Sequence, residues 1–156
     1  MPSADKRKGK SRVWVVPLLI IGVIIGVVLG AMIIAVVLTA PGRSELQNIA
    51  IAEVDFDRLQ DGVYTGTYRG TKDSLRNAAV EVTVAAGAVT KIRVTEGSLV
   101  GDKQMRALSS GQSINHLFEQ VIKAQSLQVD VISGATLTSN AHLKAIENAL
   151  RQAEAR

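Results

Sequence analysis

The sequence predicts an α+β domain, a small antiparallel sheet packed with two main helices, preceded by one N-terminal transmembrane helix. Three observations predict it. Residues 13–40 run without a single charge. Between Val63 and Val94, strand-forming residues alternate with polar ones around turn signals. Beyond that, Ser113 to Ala124 and Ser139 to Gln152 carry apolar residues at the three-and-four spacing of amphipathic helices. A sheet and two helices can be layered around one core, and about one hundred residues suffice to bury it.

Taken in order, residues 1–12 form a basic tail. Lys6, Arg7, Lys8, Lys10 and Arg12 stand against Asp5, so this tail carries the whole formal net charge of +4, and the remainder of the chain is balanced. Residues 13–40 follow as the membrane segment. About 20 apolar residues span a bilayer core, and a core helix of a small soluble domain would not be apolar on every face for this length. A cleaved signal peptide has a shorter apolar region, of roughly 7–15 residues, and small residues at its cleavage site. Here a cut after Ala40 would face Leu38 and Pro41, so the segment reads as an uncleaved anchor. Five basic residues precede it and Arg43 stands alone close behind it. The positive-inside rule then puts 1–12 in the cytoplasm and the rest of the chain outside the cytoplasmic membrane, with Trp14 at the interface. Gly22, Gly26 and Gly30 recur every four residues along roughly one helix face. They read equally as a contact for a partner helix and as the ordinary glycine content of membrane helices.

Residues 41–58 read as a linker or stalk. Pro41-Gly42 is expected to break the helix, and order is expected to return near Phe56 or Leu59. The domain proper is placed at 59–156. Asp61-Gly62 signals a turn, and Val63 to Arg69 a strand with Tyr64, Gly66 and Tyr68 on one face and Val63, Thr65 and Thr67 on the other. A polar loop runs from Gly70 to Asn77. Ala78 to Ala85, with Val80, Val82 and Val84 on one side, is joined through Ala86-Gly87 to Val89 to Val94, which makes a hairpin.

Glu96 to Ser109 reads as a loop with partial helix. In the next helix, Ile114, Leu117, Phe118, Val121 and Ile122 form a stripe that should cover one face of the sheet. Leu127 to Ile132 returns as an extended, β-branched run. The final helix carries Leu143, Ile146 and Leu150 on one face.

Composition excludes several functions. With no cysteine the chain has no disulfide, thiolate metal site, iron–sulfur cluster or c-type haem attachment. A neutral domain with 3% aromatic residues offers no basic, aromatic-lined groove, so no nucleic acid is expected. His116 and His142 are too few for a metal site, and each is expected at a solvated helix position.

Chemistry concentrates in Asp130 to Ser139. Gly134 can take backbone angles closed to other residues. Ser133, Thr136, Thr138 and Ser139 place four hydroxyls within seven residues. Thr138 or Ser139 is a natural N-cap for the last helix, whose first turn has free N–H groups and a partial positive charge that favours an anion. On chemistry alone, a phosphate site and a plain strand-to-helix turn stand level.

The run Asp130-x-x-Ser133-Gly134-Ala135-Thr136, followed by Leu137-Thr138-Ser139, resembles the flavinylation motif of the FMN-binding domain family. That domain occurs in components of the Na⁺-translocating NADH:quinone reductase and of the Rnf complex, and in many single-span bacterial surface proteins. Asp61 to Gly66 also matches the family's opening Asp-Gly-x-Tyr-x-Gly. The resemblance covers about Leu59 to Leu150. It implies that a dedicated flavin transferase esterifies the Thr136 hydroxyl to the phosphate of FMN. The chain would then be a flavoprotein and, through the ester, a phosphoprotein. Asp130 would be the acidic residue that assists attachment, and Ser133, Gly134, Ala135, Thr138 and Ser139 the cofactor's surroundings. The family's fold also sets the first strand beside the flavin-bearing turn, which brings a tyrosine near the flavin; ordinary sheet packing is the other account of Tyr64 and Tyr68. No His or Lys adjoins Thr136 as a general base, so it is not a catalytic nucleophile of this chain and no catalytic residue is assigned. The expected function is an anchored electron carrier that exchanges electrons with redox donor and acceptor proteins or a quinone. The alternatives are a flavin-dependent reductase with its own substrate and a non-redox extracytoplasmic binding module.

Overall fold

The computed structural model describes residues 12–154 except 72, 73, 75 and 109, and for 12–16, 38–43, 102 and 105 the backbone alone. The basic residues ahead of Arg12, and the side chain of Trp14, lie outside the described residues. The chain divides into two units, 1–40 and 41–156.

In the first unit runs most of helix α1 (Arg12–Gln47). Its segment Pro17–Val37, 21 residues with mean hydropathy 3.1, is long and apolar enough to cross a membrane. Its large side chains, from Leu18 to Val37, are exposed. A β-carbon added at Gly22, Gly26 or Gly30 would meet nothing within 4 Å. An uninterrupted apolar surface of this kind is unfavourable in water and suited to lipid, so this unit fits a single-pass membrane protein.

The second unit is an α+β domain. Strands β1 (Gly62–Tyr68), β2 (Ala78–Ala85) and β3 (Ala88–Gly97) form an antiparallel sheet in the order β1-β2-β3. Gly66 pairs with Val80 and Tyr64 with Val82; Val82 in turn pairs with Ile92. The expected alternation holds: Val80, Val82, Val84, Ile92 and Val94 are buried, while Val63, Thr65 and Thr67 are exposed. The hairpin between β2 and β3 turns on Ala86 and Gly87, both at positive φ (54° and 76°). The Asp61 carboxylate accepts hydrogen bonds from both of their N–H groups, at 3.0 and 2.8 Å. The Asp of the opening motif thus acts on a turn twenty-five residues away.

Helices α2 (Ile114–Ala124) and α3 (Thr136–Ala153) complete the core. Ile114, Leu117, Phe118 and Val121 are buried as the stripe predicts, with Ile122 packed at the margin. Leu143, Ile146 and Leu150 are likewise buried. A short 3₁₀ helix, Gly101–Met105, supplies the partial helix expected before α2.

Outside the Asp130 to Ser139 run, the structure departs from the sequence reading in four places. Pro41-Gly42 does not end the helix; α1 continues to Gln47. Proline removes one hydrogen bond, and side-chain contacts hold the turns beyond it. Leu46 is buried, Asn140 Nδ2 donates to the Leu46 carbonyl at 2.8 Å, and Glu45 accepts from Tyr68 and Thr71. Order therefore does not wait for Phe56 or Leu59. Leu46 and Val54 already lie in the core, and Glu147 and Lys144 bind the backbone of Ala52 and Ala50. The run Leu127 to Ile132 keeps its ends, Leu127 and Ile132, buried but joins no strand. Finally, His142 is not solvated: it is 5% exposed, because α3 is covered on more than one side and the ring packs near Phe118, at a centroid distance of 6.0 Å.

Candidate cofactor site at the start of helix α3

A tight turn sets the N-terminus of α3. The Ala135 N–H donates to the Ile132 carbonyl at 2.9 Å, and Gly134 sits at φ +72°, in the left-handed region that favours glycine. The helix then begins at Thr136, with Ala135 as N-cap and no side chain bonded to the first-turn amides. The expected cap, Thr138 or Ser139, is corrected accordingly. Ser139 lies inside the first turn and fully buried. Its hydroxyl donates to the Ala135 carbonyl at 3.1 Å and accepts from the Ile132 N–H at 3.2 Å. Ser139 holds the turn closed from beneath and does not face outward.

Gly134, Ala135, Thr136, Leu137 and Thr138 line a cleft of about 370 Å³ together with Gln47 and Arg76. That volume lies within the range of small-molecule sites, roughly 300–1,000 Å³. Thr136 is exposed at its edge and Thr138 half-buried. The first turn of α3 contains no acidic residue, so the positive end of the helix dipole is not offset there. Arg76 is half-buried, and its Nη1 is buried without a hydrogen-bond partner among the described residues. An unpaired buried donor is costly. Together, free first-turn amides, an unpaired guanidinium nitrogen and accessible hydroxyls suit a phosphate group.

Two predicted residues stand apart. Ser133 is exposed and does not line this cleft. Asp130 is exposed and belongs to another depression, beside Gln120, Lys123 and Gln128. Tyr64 and Tyr68 are not in the cleft either. Tyr64 donates to the Gln60 carbonyl and Tyr68 to Glu45, at 3.1 and 3.2 Å, as part of the domain's own packing. Conversely, sequence reasoning did not single out Arg76 or Gln47. Both are distant in sequence from the motif, and neither falls in a spacing pattern.

Two further clefts have different chemistry. One, of about 470 Å³, is edged by Glu53, Asp55, Asp57 and Glu154 and would repel an anion. The other, of about 530 Å³, lies between β3 and the start of α2, beside Thr95, Gln104 and Asn115. No group of three or more potential metal ligands occurs among the described residues. His142 is displaced toward its neutral form: burial pushes its pKa below the ordinary 6.5, against a smaller opposite effect of the hydrogen bond to the Thr138 carbonyl. That bond, 2.7 Å from Nδ1, places the proton on Nδ1 in the neutral ring.

Residues 75–151 match the family model described as FMN-binding domain. The match contains Arg76, the whole Asp130 to Ser139 run and most of α3. The opening motif, Asp61 to Gly66, lies ahead of it. Among solved structures, the CPE2226 protein from Clostridium perfringens is similar, with 28% identity over 61% of this chain and 88% of that chain, at a TM-score of 0.46. No curated protein matches. Residues 75–151 therefore form a domain of the FMN-binding domain family.

Proposed function

We propose that this chain is a membrane-anchored, extracytoplasmic electron carrier whose FMN is joined by a phosphoester to Thr136. One observation carries the proposal. The exposed residue that opens α3 and edges an anion-suited cleft is the residue at the acceptor position of the family's motif.

The residues present fit the group. Thr136 supplies the ester oxygen. The amides of α3's first turn face the phosphate with no capping side chain in competition. Gly134 and Ala135 keep the approach open, and Thr138 adds a hydroxyl on the cleft wall. Ser139 contributes by bracing the turn. Ser133 and Asp130, both exposed and outside the cleft, are available to the flavin transferase during attachment. FMN supplies one- and two-electron chemistry, and its protein partner tunes the potential through charge and hydrogen bonds. A covalent link lets a small domain hold the cofactor in an open cleft without loss outside the cell, where redox donor and acceptor proteins or a quinone can reach it.

In this reading residues 13–40 lie in the cytoplasmic membrane, 1–12 in the cytoplasm and the domain outside, following the basic residues ahead of the apolar run. The open face at Gly22, Gly26 and Gly30 admits a partner helix. The test is intact mass on protein made together with a flavin transferase. The expected result is a mass increase of one FMN that survives denaturation and maps to the peptide containing Thr136. Yellow colour that washes out on denaturation, or none at all, overturns the proposal.

A further inference from the structure

The guanidinium of Arg76 has no assigned role. It lies in the β1–β2 connection, sixty residues before Thr136, yet lines the same cleft as the first turn of α3. Its Nη1 is buried with no hydrogen-bond partner among the described residues. A purely structural arginine here would be expected to bond a carbonyl at the C-terminal end of α1, since Gln47, the last residue of that helix, lines the cleft too. Nη1 makes no such bond. A half-buried cation with a buried, idle donor lines the same cleft as a helix N-terminus and a hydroxyl, and it has no anionic partner among the described residues. Arginine suits phosphate oxygens because its planar fork can donate two parallel bonds.

We propose that Arg76 is the positioning residue that pairs with the phosphate of the flavin nucleotide on Thr136 and holds the tethered cofactor against the domain. The inference rests on the FMN reading above. A single ester leaves several freely rotating bonds between Thr136 and the flavin ring. The phosphodiester carries one negative charge at the Thr136 hydroxyl, and Arg76 anchors that charge beside the first-turn amides. The tether then keeps the cofactor on the chain, and Arg76 restricts its orientation.

The test uses the full chain in detergent micelles, as parent, Arg76→Gln and Arg76→Lys. Circular dichroism checks folding of each. In flavin-loaded protein, the rotational freedom of the ring is read by time-resolved fluorescence anisotropy at low and high salt. Arg76→Gln is expected to depolarise faster than the parent at low salt and to lose its salt dependence, with Arg76→Lys between the two. Equal decays in all three overturn the role. Should Arg76→Gln fold but fail to load, unmodified chains are titrated with free FMN and with riboflavin, which differ by the phosphate. The parent is expected to favour FMN by about tenfold, a preference that Arg76→Gln abolishes. An equal preference in both overturns the proposal. The parent's intact mass is separate: absence of the FMN increase there defeats the covalent reading, while the FMN-to-riboflavin ratio still decides the place of Arg76.

Discussion

A β-carbon on Gly66 would lie 2.0 Å from the Ala145 carbonyl oxygen and 2.4 Å from the Ala149 nitrogen, so β1 and α3 meet backbone to backbone. No side chain separates them. Asn148 and Gln152 on α3 add bonds to the carbonyls of Thr67 and Thr65, at 2.8 and 2.9 Å. These contacts fix the helix on the sheet, and Thr136 is the first residue of that helix. The glycine that ends the opening motif therefore serves the cofactor site through the placement of α3.

Gly66→Ala follows from this contact. The atoms it would strike are two backbone atoms and the Ala149 Cβ, none of which can rotate aside, so α3 must lift off β1. The expected cost is about 3 kcal/mol, at the upper end for overpacking. Urea denaturation of the full chain in detergent measures it. A loss within roughly 0.5 kcal/mol, the range of neutral surface changes, would show that the two elements are not so closely seated.

Glu147 is 1% exposed and holds the segment after α1 to α3. It accepts from the Ala52 N–H at 3.1 Å, from Lys144 Nζ at 2.7 Å and from Arg151 Nε at 2.9 Å. Glu147→Ala strands the part-buried Ala52 donor beside a gap, while Lys144 and Arg151 keep access to water, with an expected cost of about 1–3 kcal/mol. Glu147→Gln keeps an acceptor and is expected to lose less. Comparison of the two denaturation midpoints separates lost charge from lost hydrogen bonding; equal losses would make the charge irrelevant.

The same region shows where the sequence was legible. Alternation of Val80, Val82 and Val84 and the stripe from Ile114 to Val121 are local patterns, and the buried faces follow them. Glu45, Leu46 and Val54 read as stalk because their partners, Tyr68, Thr71, Asn140 and the core, are supplied by distant parts of the chain. His142 escapes the local pattern for a similar reason: a helix covered on several sides buries positions outside its main stripe. At the site, the motif placed Thr136, but one cleft wall comes from Gln47 and Arg76, which tertiary structure alone brings there.

Ala86 takes φ +54°, a conformation that costs an L-residue with a β-carbon about 1 kcal/mol. Ala86→Asn would place Asn-Gly at the two-residue turn, the pair favoured for it. Its N–H still reaches Asp61. We expect a gain of about 0.5–1 kcal/mol, the scale of such turn corrections, visible as a higher melting temperature. An unchanged or lower melting temperature would mean that the turn carries no relievable strain.

Burial holds His142 below its ordinary pKa of 6.5. The folded state thus binds fewer protons than the unfolded state once pH falls below that value. Its contribution to stability is complete above about pH 6.5 and declines as pH drops toward the folded pKa. His142→Gln removes the titration. Stability plotted against pH should therefore fall less steeply below pH 6.5 in the variant than in the parent, after the shared carboxylate effects are subtracted. Parallel curves would assign the slope to other groups.

Thr136 is exposed and makes no side-chain bond among the described residues, so Thr136→Ala is expected to change stability by no more than roughly 0.5 kcal/mol. It deletes the one oxygen on which the proposed ester depends. Made beside a flavin transferase, the variant should be folded and colourless, with no added FMN mass, while Thr136→Ser retains a hydroxyl at the same place and regains some loading. Thr138 stands two residues further along the same cleft wall, and Thr138→Ala should remain loaded. FMN mass that persists in Thr136→Ala would move the attachment to another hydroxyl, with the Thr138 variant as the next to measure.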